Sequence, residues 1–136
     1  MEVHLRVIGV LLCLLSLIHI GFARRFNWGE ELKPLSLINK QMMEVHTFFV
    51  ALTVMLIGLL CWFYADNLVN SQFGRVIAMG LGIFWGIRLL FQFFVYSPKL
   101  WRGKPFETTM HIIFSLLWIY LTFVFVTVGL NMYATE

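Results

Sequence analysis

Charge is scarce over four long stretches of this chain, and that scarcity constrains the fold more than any other feature. The stretches run from Val3 to Phe22, Val45 to Ala65, Val76 to Tyr96 and Met110 to Leu130. At a rise of about 1.5 Å per residue, a helix of about 20 residues crosses a hydrocarbon layer of about 30 Å. In lipid, only helices or closed barrels satisfy their backbone polar groups. These stretches are too long and too continuously apolar for barrel strands. The expectation is an all-α, four-helix transmembrane bundle, with residues 1–136 forming a single integral membrane domain. Composition agrees. The chain is 60% hydrophobic and 12% charged, against about 25% charged in a soluble domain. A soluble protein of this length would expose large apolar patches and aggregate.

The first stretch has two readings. Arg6, an apolar run and Gly21-Phe22-Ala23 resemble a cleavable signal peptide. The weakly basic start, and Arg24 and Arg25 directly after the run, favour a retained anchor. The connector from Arg24 to Glu44 is the longest. Asn27 with Glu30 three residues on fits a capping box, so a short helix is expected there, interrupted by Pro34. Ser36 is placed to cap a helix that continues into the second span. Trp28, Leu32, Leu35, Leu37, Ile38 and Met42 would let this helical loop lie in the membrane interface. Asp66 to Arg75 reads as a short polar hairpin. Pro98, Gly103 and Pro105 stop the third helix and start the fourth.

Basic residues set the orientation. The first and third connectors hold Arg24, Arg25, Lys33, Lys40, Lys99, Arg102 and Lys104, seven in all, whereas the other side holds Arg6 and Arg75. This places those two connectors in the cytoplasm and both termini outside. Trp28, Tyr96 and Trp101 then form the inner aromatic belt, and Trp62, Tyr64 and Tyr133 the outer one. The net charge of +3 gathers in connectors, as topology requires, and does not point to nucleic acid. The lipid bilayer is the expected partner, with a homo-oligomer or larger membrane complex as a further possibility. Cys13 and Cys61 sit in apolar runs without a metal-binding spacing. They read as small hydrophobes, with a disulfide between them as the alternative.

Arg88 carries the most functional information. It lies eight residues before Tyr96, about 12 Å from the inner end of its span. A charge there costs at least about 2.5 kcal/mol on insertion scales, so it should face protein and find partners. Gln92 lies one turn away on the same face, and Trp85 one turn away on the other side, within reach of a cation–π contact. The structural alternative is an arginine that snorkels to the headgroups, or one neutralised by Glu44 or Glu107. His19, His46 and His111 lie at similar depth in this topology. Together these groups suggest a ligand-binding site made of Arg88, Gln92, His19, His46, His111, Trp85 and Ser115. Such a set can bind an anionic headgroup or quinone, hold haem through two imidazoles, bind a metal, or relay protons.

The fourth span supports this reading. Glu107, His111, Ser115, Trp118, Thr122 and Gly129 follow steps of three and four, or their multiple. In lipid, a stripe of smaller and more polar residues faces other helices. Ser16 and His19 make a shorter stripe on the first span. The metal candidates are His46, His111, His19 and Glu107, but Glu107 and His111 lack the E-x-x-H spacing of di-iron bundles. Gly82 and Gly86, and the row Thr47, Ala51, Gly58, Cys61 and Ala65, allow close helix approach, more readily within one chain than in a dimer.

The runs Trp28-Gly29-Glu30-Glu31-Leu32, Val45-His46-Thr47-Phe48-Phe49 and Phe84-Trp85-Gly86-Ile87-Arg88-Leu89-Leu90 resemble those of many small bacterial four-helix membrane proteins. The overall layout is loosely similar to the DoxX-like group. The resemblance covers most of the chain. It implies the four-helix layout and a bacterial inner membrane, and it carries over no catalytic residue. The leading reading is a non-enzymatic membrane subunit or accessory protein that binds an anionic or lipid-like ligand near its cytoplasmic face. A redox protein or enzyme using haem, metal or quinone at the same cluster is the second, and a small oligomeric transporter the third.

Overall fold

A computed structural model of the chain describes residues 1–131, and it is helical, with no strand among those residues. Four helices are long and apolar enough to cross a membrane: α1 (Glu2–Ile20), α4 (Leu37–Phe63), α6 (Gln72–Phe94) and α7 (Pro105–Leu130). Between them lie α2 (Phe22–Arg25), α3 (Trp28–Glu31), α5 (Ala65–Asn70) and a 3₁₀ turn at Pro98–Leu100. Tyr133, assigned to the outer aromatic belt, lies outside the described residues. The chain divides into two compact units, Val3–Ala65 and the part from Asp66 onward together with Met1–Glu2.

In the first unit, α1 and α4 meet where side chains are smallest. A Cβ added to Gly58 would lie 2.9 Å from the Gly9 carbonyl and 2.9 Å from Cys13 Sγ, closer than van der Waals contact. The row of small residues on α4 therefore meets α1 of the same chain. One turn pair further along, the Ser16 hydroxyl donates to the Ala51 carbonyl at 2.6 Å. Both cysteines are free thiols, so the disulfide alternative is not realised. Ser36 does precede the helix that runs into the second span, although its side chain makes no capping bond.

In the second unit, α6 and α7 pack antiparallel along a seam. A Cβ on Gly82 would meet the Val126 backbone N at 3.0 Å, and one on Gly129 would meet Met79 Cα at 2.9 Å. Gly86 has ordinary clearance from Thr122. The Gly82–Gly86 motif thus serves packing within the chain. At one end of the seam, Arg75 Nη1 donates to the Asn131 carbonyl at 2.8 Å and so holds the last turn of α7. At the other, Pro105 starts α7 and Gly103, at φ +79°, supplies the left-handed turn before it.

Two local expectations need correction. Asn27 does precede a short helix, but it does so at φ 49°, in the left-handed region, with no side-chain capping bond. Asparagine tolerates that conformation better than most residues, so the residue marks a turn and forms no capping box. Asp66 to Arg75 contains helix α5, where a polar hairpin was expected. Asn70 Nδ2 donates to Asp66 Oδ1 at 2.7 Å, a bond between side chains four residues apart that favours helix. Ser71 then caps α6 by accepting from the Gly74 N–H at 2.9 Å.

Large apolar side chains remain open along these helices. Phe73, Phe94 and Phe123 are 75%, 82% and 68% exposed. Exposure of this kind marks a surface suited to a hydrocarbon solvent.

Candidate functional site

The polar groups that come together do so between α6 and α7. Arg88 stands six residues before the end of α6 and His111 six residues after the start of α7. Both are therefore about 9 Å along the axis from the same end of the helix pair. Arg88 Nη1 donates to Gln92 Oε1 at 3.3 Å, and Gln92 Nε2 contacts His111 Nδ1 at 2.8 Å. The guanidinium has only donors, so it fixes the amide orientation. The amide nitrogen then donates to His111 Nδ1, which must carry the lone pair. His111 is left as the tautomer with its hydrogen on Nε2.

Aromatic rings enclose this chain of bonds. The Arg88 guanidinium carbon lies 5.0 Å from the ring centre of Trp118 and 5.5 Å from that of Tyr96. Trp118 stacks on Trp85, with centroids 5.0 Å apart and planes within 10°. His111 stacks on Trp101 at 4.5 Å and 9°. The predicted cation–π partner, Trp85, is thus replaced by Trp118 and Tyr96, with Trp85 forming the next layer of the stack. Trp85 and Trp118 are 2% and 4% exposed. Contact with Tyr96, beyond the end of α6, shows that the guanidinium leans toward that end of the helix while remaining against α7.

The electrostatic character of the site is one-sided. Among the described residues of its own unit no carboxylate pairs with Arg88, so Glu107 does not neutralise it. Gln92 Oε1 is occupied. The indole N–H groups of Trp85, Trp101 and Trp118 are buried and have no acceptor. Each unmade bond of this kind costs on the order of 1–3 kcal/mol. Donors therefore exceed acceptors, and the arrangement suits a group that brings acceptors and negative charge.

The remaining predicted residues take other roles. Ser115 is buried, and its hydroxyl donates to the His111 carbonyl at 2.7 Å, which ties it to its own helix. His19 Nδ1 and His46 Nδ1 donate to the carbonyls of Leu15 and Met42, each at 2.8 Å. His19 lines a hollow with Glu44, Thr47, Phe48 and Ala51 of α4. At about 100° per residue, His46 projects about 150° away from that row. His19 and His46 thus do not converge, because His46 projects to a different side of α4 from the row that shares the hollow with His19. No three of His, Cys, Asp and Glu gather as a metal site among the described residues. Sequence reasoning assigned Trp101 to the aromatic belt and Trp118 to the polar stripe, but it missed both as walls of the site. Their positions depend on the register of α6 against α7, which one sequence does not contain.

No protein-family model, curated protein or solved structure matches this chain.

Proposed function

We propose that the chain is a polytopic membrane protein whose four long helices form a transmembrane bundle. It acts as a non-enzymatic subunit or accessory protein that binds an anionic, lipid-like ligand at Arg88, Gln92 and His111. The observation that carries this reading is an arginine inside a long apolar helix with no carboxylate partner among the described residues, beside buried indole donors that lack acceptors there. A phosphate or carboxylate would supply both the missing charge and the missing acceptors. Charge-assisted bonds to guanidinium are about twice as strong as neutral ones. A lipid fits the open apolar surface on either side.

The orientation proposed from the basic residues puts this end of α6 and α7 at the cytoplasmic face. A reporter fused after Glu136 should read as outside the cytoplasm, and a cytoplasmic signal would reverse the orientation. For the site, we expect phosphatidylglycerol added to detergent-purified protein to raise the Tm of the wild type. The Arg88→Leu variant should insert and fold yet show no such shift. An equal shift in both would remove Arg88 from the site.

A second reading is favoured by the stacked planes Trp85–Trp118 and Trp101–His111. Flat rings beside two donors also suit a quinone, whose carbonyl oxygens accept from the guanidinium and His111 Nε2. A Tm shift with a short-chain benzoquinone and none with phosphatidylglycerol would select this reading.

A further inference from the structure

The α1–α4 unit holds a second polar locus of opposite character. A hollow of about 310 Å³ opens where α1 ends and α4 gathers its polar residues. Its polar lining is His19, Glu44 and Thr47; Ile20, Phe48 and Trp28 are among its other walls. The hydrogens of the His19 ring and the Thr47 hydroxyl are already committed. His19 Nδ1–H donates to the Leu15 carbonyl, which leaves Nε2 as a lone pair. The Thr47 hydroxyl donates to the Met43 carbonyl at 2.9 Å, which leaves its oxygen free to accept. The Glu44 carboxylate only accepts, and it makes no ion pair or side-chain bond among the described residues. Three kinds of acceptor therefore line the hollow.

We infer that this hollow binds the primary ammonium headgroup of a phosphatidylethanolamine-type lipid. The inference shares the membrane reading of the helices but does not rest on the Arg88 site. A primary ammonium carries one positive charge and three N–H donors, matching one carboxylate and two neutral acceptors. A choline headgroup carries the same charge with no N–H, and it would leave His19 Nε2 and Thr47 unsatisfied. A bare metal ion fits less well, since no three ligating side chains converge there. The lipid source follows from the apolar part of the lining. Ile20 and Phe48 are largely exposed beside the polar groups, so an acyl chain can run along the same face that holds the headgroup.

The test is lipid retention by the full-length protein, measured by native mass spectrometry after exchange into an equal mixture of phosphatidylethanolamine and phosphatidylcholine. The wild type should retain the ethanolamine lipid about fivefold or more over the choline lipid. Glu44→Gln, an isosteric change at an exposed position, should bring the ratio close to one. Thr47→Val should lower it partway. Arg88→Leu should leave it unchanged, so failure of the Arg88 reading would be seen separately. Equal retention of both lipids by the wild type, or an undiminished preference in Glu44→Gln, would overturn the inference. Displacement of the lipid by millimolar free ethanolamine would overturn its assignment to a lipid source.

Discussion

The two long-helix pairs of this chain solve the same packing problem with different chemistry. In α1–α4, small residues bring backbones together and the Ser16 hydroxyl bonds directly to the Ala51 carbonyl. His19 and His46 there direct their hydrogens to their own helix. In α6–α7, small residues close only part of the seam. Toward the end that holds Arg88, bulky rings and a bond chain from Arg88 through Gln92 to His111 replace them. One pair leaves acceptors unmatched at its hollow, and the other leaves donors unmatched at its stack. Packing needs explain the glycines in both. They do not explain why an arginine within a long apolar helix lies beside tryptophans with unbonded N–H groups, and that contrast separates a structural seam from a candidate site.

The contrast can be broken most forcefully at the seams. Gly58→Leu and Gly129→Leu should each destabilise the protein by about 3 kcal/mol or more, because the new side chain meets backbone that cannot yield. Thermal unfolding in detergent should show a marked fall in Tm for both. Neither variant, where it remains folded, should alter the lipid preference of the other pair. A Gly58→Leu protein that keeps wild-type stability would mean that α1 and α4 are not closely packed.

A smaller effect is expected at the middle of the bond chain. Gln92→Leu removes the acceptor for Arg88 and the donor to His111. It should weaken binding of an anionic lipid by about tenfold, corresponding to about 1.4 kcal/mol, and lower stability by on the order of 1 kcal/mol, because Arg88 and His111 each lose a partner. Titration with phosphatidylglycerol would measure this. Unchanged affinity would show that Gln92 is a packing residue and that the ligand does not depend on the tautomer it sets.

Much of the architecture could be read from residue order. Apolar length located all four long helices, Ser36 marked the approach to α4, and the Pro98–Pro105 region marked the break before α7. Local chemistry was harder. Asn27 satisfies both a capping pattern and a left-handed turn, and only the backbone conformation chooses between them. The Arg88–Gln92 contact was legible because helical periodicity sets residues four apart on one face. The contact to His111 required knowing that α6 and α7 pair in antiparallel register. The same register brings Trp118 under the guanidinium and leaves Trp85 behind it. Three histidines at similar predicted depth suggested one cluster, but depth says nothing about direction around a helix. His46 shows the consequence, pointing away from the face that carries Glu44 and Thr47.

The central claim is that Arg88 anchors an acceptor-rich anionic ligand. Its most direct test is the lipid that the purified protein retains from an equal mixture of phosphatidylglycerol and phosphatidylcholine. The wild type should be enriched in phosphatidylglycerol. Arg88→Lys should keep part of that enrichment, because a point charge replaces a planar guanidinium fork. Arg88→Leu should lose it while retaining helical content and Tm. Equal phosphatidylglycerol enrichment in the wild type and Arg88→Leu would contradict the claim and leave Arg88 as a packing cation held by Gln92, Tyr96 and Trp118.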